Sequence, residues 1–599
     1  MAIVKMKKVS LVVLDREREE ALEKLRDLGL VHIERIYAGS DKLSALNEKK
    51  ALFERCAFLL PQNVAADKNK KGDVKAAEEL ALKIVSFGDK LKALNDEKEK
   101  LSKDLKSLEP WGNFNPADVE FLSGKGVELK FYELSKDKLA ELSDVDYFVV
   151  NTIKDRTFIV ATGAKFPAVE EFHLPACGID GCKAKIAEVD KEAAKVQAEL
   201  AKLAVDKNVI TEGTKLLEKE IEFESVSADM QVEDSLAYID GYVPADTVAE
   251  LKSAAAKENW ALLIRDPDDE DAPPSLLRNP KWVERIQPLF KFLDITPGYR
   301  EADISVWFLM FFTLYVAMIV GDAGYGAIFF LLTLLICKKA PKPVVTLLMT
   351  LSIGTVVWGT ITGTWFGSET IVKHTFLGNL VIPQIASFAE EGVDTNYYIQ
   401  NLCFFIGITQ LLLGLIISFV RKLPSLAAWT DVGWMLVVVA SYFVAQKFVL
   451  GAAAFNPITW PLAAAGFVIV CLCSEQNGNV VKGICMGLAW SPMKVLDTVS
   501  MFANLVSYIR LFAVGMALKS ALATVAVATS FNAMAAGLAE SMGVAGVIIG
   551  AVILFVAHAF NMVLALLSII VHGVRLNTLE FGGRVGLEWS GYRYAPFKK

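Results

Sequence analysis

Residues 504–523 read NLVSYIRLFAVGMALKSALA, an apolar run long enough to cross a bilayer with one guanidinium, Arg510, set well inside it. Guanidinium stays protonated, and placing it at the centre of a membrane costs about 2.5–3.5 kcal/mol on insertion scales. No acidic residue of the same span stands near it, so a compensating partner must come from another segment. Asn504 and Ser507 precede Arg510 on roughly the same helical face. The wider stretch Ser500–His572 holds only three formal charges, Arg510, Lys519 and Glu540. Burial of Arg510 against helix-end carbonyls is the plain alternative to a functional role.

The following apolar run carries a polar stripe at helical spacing: His558, Asn561, Ser568, His572 and Arg575, with Ala565 filling one gap. A polar face in lipid must look at protein or water. Arg575 lies near the end of its span, where snorkelling to headgroups is an alternative. Interhelical hydrogen bonding is the alternative for His558 and Asn561. His572, one step from Arg575, suits a neutral hydrogen-bonding role.

Working outward, apolar runs fall at 304–320, 323–337, 344–366, 399–420, 431–449, 458–474, 496–530 and 544–575. The first two flank the turn GDAGYG, residues 321–326, and are short for independent spans. If both ends of the chain are cytoplasmic, the inside loops hold Lys338, Lys339, Lys342, Arg421, Lys422, Lys482 and Lys494, and the tail holds Arg584, Arg593, Lys598 and Lys599. The long outside loop has Glu369, Glu390, Glu391 and Asp394 against Lys373. That bias satisfies the positive-inside rule. It predicts eight helices over 304–599 and a multi-pass protein of the cell membrane.

Residues 1–303 are richly charged and form the expected cytoplasmic half. Its expected parts are α/β lobes at 1–40, 111–181 and 226–265, coiled-coil arms at about 42–109 and 183–224, and a connector at 266–303. In the first arm Leu80, Ile84, Phe87, Leu91, Leu94, Leu101, Leu105 and Leu108 keep a heptad seam broken by Lys98. In the second, Ile186, Val189, Ala193, Val196, Leu200, Leu203, Ile210, Leu217 and Ile221 repeat it, with gaps at Lys207 and Thr214. Such seams bury a narrow stripe along a partner helix, predicting an antiparallel hairpin with arms of roughly 45 Å. A compact helical bundle is the alternative. The fold class is therefore mainly α: a soluble half with a coiled-coil hairpin and small α/β units, then an eight-helix transmembrane domain.

With 53% hydrophobic and 22% charged residues among 599, the chain suits this division into a charged half and an apolar half. A net charge of −7 argues against nucleic acid as a partner. The eight cysteines are scattered; Cys177 and Cys182 are expected as reduced thiols, without further ligands for a metal. The apolar stretch near the start meets Asp15 too early for a signal peptide and reads as a strand. No GxxxxGK[ST] nucleotide loop occurs, so no catalytic residue and no cofactor is assigned.

The segments SYIRLFAVGMALKSALA, VHGVRLNTLEFGGRVGLEWSGYRYAPF, GDAGYG, WGTITGTWFG and MAIVKMKKVSLVVL together resemble the membrane stator subunit of V-type and A-type ATPases, called subunit a or, in prokaryotes, subunit I. The likeness spans the whole chain, and its length and compact loops suit the prokaryotic members. The resemblance implies a non-catalytic subunit whose partners are a rotor proteolipid ring, peripheral stalk subunits and, through the stalk, the catalytic ATPase head. It implies that Arg510 faces the ring's ion-carrying carboxylates and that Arg575 assists, with His572 a polar position beside it. Vacuolar members carry glutamate where this chain has Ala565. The expected ion-translocation residues are thus Arg510, Arg575, His572, Ser507, Asn504, His558, Asn561 and Ser568. Whether H⁺ or Na⁺ is carried depends on the ring. A secondary transporter with a cytosolic regulatory domain and an inert membrane-anchored scaffold are the competing readings.

Overall fold

The structure is a computed structural model that describes residues 3–36, 39–61, 64, 72–135, 147–153, 156–162, 171–175, 177–367, 371, 374–386, 394–451, 454–476, 480–515 and 524–598. Lys519, Glu369, Lys373, Glu390, Glu391 and Lys599 lie outside the described residues. The chain divides into two compact units. One is Val12–Gly29 with Ile33–Ile239 and Lys598–Lys599; the other is Met1–Leu11 with Leu30–His32 and Asp240–Phe597. The protein is mainly helical, with small sheets in its N-terminal part.

In the first of these units the heptad seams bury each other. Ile84, Leu94, Leu101 and Leu108 of helix Val74–Leu108 share one apolar cluster with Val189, Ala193, Val196 and Leu200 of helix Ile179–Leu203. Residue numbers rise along one helix as they fall along the other, since Lys98 pairs with Asp190 at 2.5 Å and Asn113 with Asp180 at 2.8 Å. Lys98 interrupts the apolar seam because its ammonium serves this half-exposed ion pair. The segment before it is a separate helix, Asp41–Leu59, which stops at Pro61. It packs antiparallel on Lys207–Asp229 through Lys42–Glu224 and Lys50–Glu218, with Phe53 and Leu217 fully buried between them. One end of the hairpin is therefore thickened into a bundle.

Burial pushes the Cys56 thiol in that bundle up to about 12. At pH 8 only roughly one molecule in ten thousand would be thiolate, the reactive form. Cys56 is expected to resist alkylation until the arms are unfolded. Stoichiometric labelling of Cys56 in the native protein, read by mass spectrometry, would contradict this packing.

At the hairpin's other end, strands Leu129–Ser135, Arg156–Thr162 and Tyr147–Ile153 form an antiparallel sheet in that spatial order. The cysteines beside it depart from expectation. Cys177 and Cys182 are joined in a disulfide, because the turn entering helix Ile179–Leu203 brings their Cα atoms to 5.7 Å, within reach of a cross-link.

The second unit has a strand layer in which residues 32, 240–244, 6–11 and 261–265 lie side by side in that order. Residues 275–277 run beside it, bridging to Ile3 and to Arg593 of the tail. The tail is held further by Phe597 N to Val31 O at 2.8 Å and Ala595 N to His32 Nδ1 at 3.0 Å.

Beyond residue 304 the described parts of the eight apolar runs are largely helical, except that the run at 344–366 leaves its helix after Ile361 and turns over residues 362–366. Lys342–Ile361, Thr395–Lys422, Leu426–Phe448, Ser491–Val514 and Glu540–Val585 are each long and apolar enough to cross a membrane. Ser305–Val320 and Ala323–Ile336 reach that length only as a pair, bent by 119°. Thr459–Cys473 is shorter, and Val480–Ala489 is a further short apolar helix. Within Ser491–Val514 the helix tightens at 507–508, where Arg510 N bonds to the Ser507 carbonyl and Leu511 N to the Tyr508 carbonyl, and it continues as Ile509–Gly515. The chain then folds back at Gly543, whose φ of 59° departs from helix. A Cβ at Gly550 would stand 3.2 Å from the Ala535 carbonyl, although fifteen residues of straight helix would separate them by about 22 Å.

The bent pair locks against Lys342–Ile361 by backbone contact. A Cβ at Gly359 would lie 2.1 Å from the Ala323 nitrogen. Gly359→Val is therefore expected to abolish most membrane assembly of the protein, because backbone cannot yield as a side chain can. Wild-type yield of folded protein in a detergent size-exclusion profile would refute that.

Candidate functional site

The tightened turn at 507–508 and a change of helical winding create the site. After Ser568 the last helix winds as π-helix over Ile569–Gly573 and again over Leu576–Phe581. In an α-helix, positions five apart point about 140° away from each other; the i→i+5 winding of a π segment brings them onto one side. Arg575 Nε consequently stands 3.8 Å from Glu580 Oε1. Glu580 is buried, its side chain 5% exposed against 55% for Arg575. Ser507 Oγ donates to the same Glu580 Oε1 at 2.9 Å and accepts from Arg510 Nη2 at 2.5 Å. The two arginines, on different helices, are thus connected through one hydroxyl and one carboxylate. Two guanidinium groups outnumber the one carboxyl group here, so positive charge is in surplus, and the exposed Arg575 presents it at the protein surface.

The acidic group expected from another segment to compensate Arg510 is Glu580, which Arg510 meets through the Ser507 hydroxyl. Its Oε2 and the Nδ1 of His572 are buried without a hydrogen-bond partner among the described residues. His572, half-buried, lies one turn before Arg575.

A second polar group occupies the other end of the stripe. Tyr325 Oη meets His558 Nδ1 at 2.7 Å and accepts from Asn561 Nδ2 at 3.0 Å. His558 Nε2 meets Asn532 Oδ1 at 3.2 Å, and Asn532 Nδ2 donates to the Phe366 carbonyl at 2.7 Å. Asp322 anchors this end. Its carboxylate accepts from the backbone nitrogens of Gly324, Tyr325, Phe366 and Gly367 at 2.7, 3.2, 3.0 and 2.8 Å.

The expected residues therefore separate into two sets. Arg510, Ser507 and Arg575 come together around Glu580, whereas His558 and Asn561 join Tyr325 and Asn532. Asn504 and Ser568, both half-buried, enter neither network. Ala565 is fully buried, leaving an apolar gap between the two sets. Glu580, Asp322, Tyr325 and Asn532 escaped the sequence reading. For Glu580 the available signal was its place in the charged ending VRLNTLEF, five residues beyond Arg575.

Helices long and apolar enough for a bilayer, carrying two arginines of which one faces a buried carboxyl group and the other reaches it through a serine hydroxyl, define a membrane protein with charged groups among its apolar helices. The comparisons make that class specific. No family model matches the chain. The V-type ATP synthase subunit I of Borreliella burgdorferi is 32% identical, the match covering 100% of this chain and 99% of that protein. The V-type ATP synthase subunit I 1 of Treponema pallidum is 31% identical over 100% of both. The A-type ATP synthase subunit I of Methanocaldococcus jannaschii is 24% identical over 100% of this chain and 99% of that one. A solved cytoplasmic N-terminal domain of subunit I, homolog of subunit a, of V-ATPase covers 43% of this chain and 99% of that chain, with 15% identity and a TM-score of 0.24. The chain belongs to the V-type and A-type ATP synthase subunit I family, and it is a membrane subunit of a rotary ATPase.

Proposed function

We propose that this subunit is the non-catalytic stator against which a rotor proteolipid ring turns, and that it provides the ion half-channels on either side of the arginine pair. The observation that carries this reading is the Arg510–Ser507–Glu580–Arg575 connection with its surplus positive charge. A ring carboxylate moving through lipid must be neutral, protonated or holding Na⁺, because a bare charge there is costly. Beside the arginines the ionised form is favoured, so the ring site gives up its ion on arrival and reloads after passing. The His558, Asn561, Tyr325 and Asn532 group suits one aqueous path, and Ser507 with Asn504 the other; His572 and Ser568 border the arginines. The coiled-coil hairpin serves as the arm that joins peripheral stalk subunits and, through them, the catalytic head. Attachment of the tail to residues 31–32 and 275 supports a multi-pass protein with both ends on the cytoplasmic side of the cell membrane, the soluble half at 1–303 and the transmembrane domain at 304–599.

Val571 and Leu579, one turn either side of Arg575, are exposed apolar side chains suited to a ring surface. Cysteine at either position is expected to cross-link to a cysteine placed beside the ring carboxylate in the intact complex. Absence of any ring adduct at both positions, with the complex intact, would overturn the assignment.

A further inference from the structure

Helix Thr395–Lys422 carries none of the charges of the site, yet it touches both arginine-bearing segments along one face. A Cβ at Gly407 would meet the Tyr508 ring at 2.6 Å, and one at Gly414 would lie 3.2 Å from Arg584 Cβ and 3.3 Å from the Phe581 ring. Between these two close approaches stands Gln410, fully buried. Its Oε1 accepts from Tyr508 Oη at 2.6 Å and also from Tyr315 Oη. Its Nε2 donates to Asn577 Oδ1 at 2.9 Å, and Asn577 Nδ2 donates to the Gly573 carbonyl at 3.2 Å. Tyr508 lies between Ser507 and Arg510; Asn577 lies between Arg575 and Glu580, in the π-wound stretch.

We propose that Gln410 is a positioning residue: its amide ties Tyr508 to Asn577 and so fixes the separation of the two arginine-bearing helices. A carbonyl oxygen has two acceptor sites, and both are filled here by tyrosine hydroxyls. The amide's two ends differ, one accepting and one donating, so each helix is held at its own end. Small residues one turn on either side let the backbones come close enough for a side chain as short as glutamine to span the gap. The proposal rests on the stator reading, because a fixed spacing matters only if both arginines meet a passing carboxylate. A displacement of about 1 Å at a reacting centre costs on the order of 100-fold.

The test replaces the whole network by apolar groups of similar shape: Tyr315→Phe, Gln410→Leu, Tyr508→Phe and Asn577→Leu together. Removing every side-chain partner at once leaves no orphaned polar side chain in the network, and the Gly573 carbonyl loses only its contact with Asn577 Nδ2, so stability can be nearly preserved. The complex is reconstituted in vesicles with its ring and head, and ion transport per ATP hydrolysed is measured beside assembly. The expected result is an assembled complex that hydrolyses ATP with transport per ATP reduced about 10- to 100-fold. Unchanged transport per ATP would overturn the proposal. Failure of the variant to assemble would overturn it too, since the network would then be serving folding and not spacing. Arg510→Ala separates the two levels. If that variant still transports, the stator reading falls; if it does not while the apolar variant remains coupled, only the role of Gln410 falls.

Discussion

Arg510→Ala is expected to lower ATP-driven ion transport by about 10- to 1000-fold while the complex still assembles, because an adjacent cation shifts a carboxylate by 1–3 pH units and each unit is tenfold in ion release. Assembly should persist since Arg510 is bonded through its guanidinium to Ser507 and not to several buried groups. Removing it leaves Ser507 still able to donate to Glu580, and Glu580 still facing Arg575. Arg510→Lys should retain part of the transport, because an ammonium keeps the charge but presents it as a point and not as a planar fork. Dye-quenching or ²²Na⁺ uptake in vesicles, normalised to complex content, reads both variants. Transport by Arg510→Ala within threefold of wild type would remove the basis of the stator mechanism.

Why these charges were only half visible in the sequence follows from helical winding. Periodicity at 3.6 residues found the stripe from His558 to Arg575, and the buried Asn561 and half-buried His558 sit where it placed them. The rule fails after Ser568 because the helix changes to π winding; no local pattern of residues announced that change, so Glu580 stayed out of phase with Arg575. Gln410 was invisible for another reason. A single glutamine in an apolar run has no period, and its partners lie 95, 98 and 167 residues away. The heptads read well because each arm's stripe is a local property, with Lys98 correctly a break. Pairing of Asp41–Leu59 with Lys207–Asp229 instead of with its neighbour in the chain is a tertiary choice that spacing alone does not encode.

Asp322→Ala is expected to cost about 3–5 kcal/mol and to leave little assembled subunit in the membrane. The carboxylate is fully buried and receives four backbone N–H groups, two from the start of helix Ala323–Ile336 and two from residues 366–367. Each donor left unpaired in a dry site costs about 1–3 kcal/mol, and relaxation of the two turns recovers only part of the sum. The effect reaches the chemistry, because the loop that Asp322 holds offers the Phe366 carbonyl to Asn532, which in turn meets His558. Asp322→Asn separates charge from geometry. Its one carbonyl oxygen has two acceptor sites for the three donors now on Oδ1, while its amide would confront the Gly367 N–H with a second donor. A loss of about 1–3 kcal/mol is therefore expected, with assembly largely retained and transport lowered. Thermal unfolding of the purified complex, followed by size-exclusion, should rank wild type above Asp322→Asn and that above Asp322→Ala. If the alanine variant melted with the wild type, the loop at 366–367 would have to be held by something other than this carboxylate, and its link to His558 would lose its foundation.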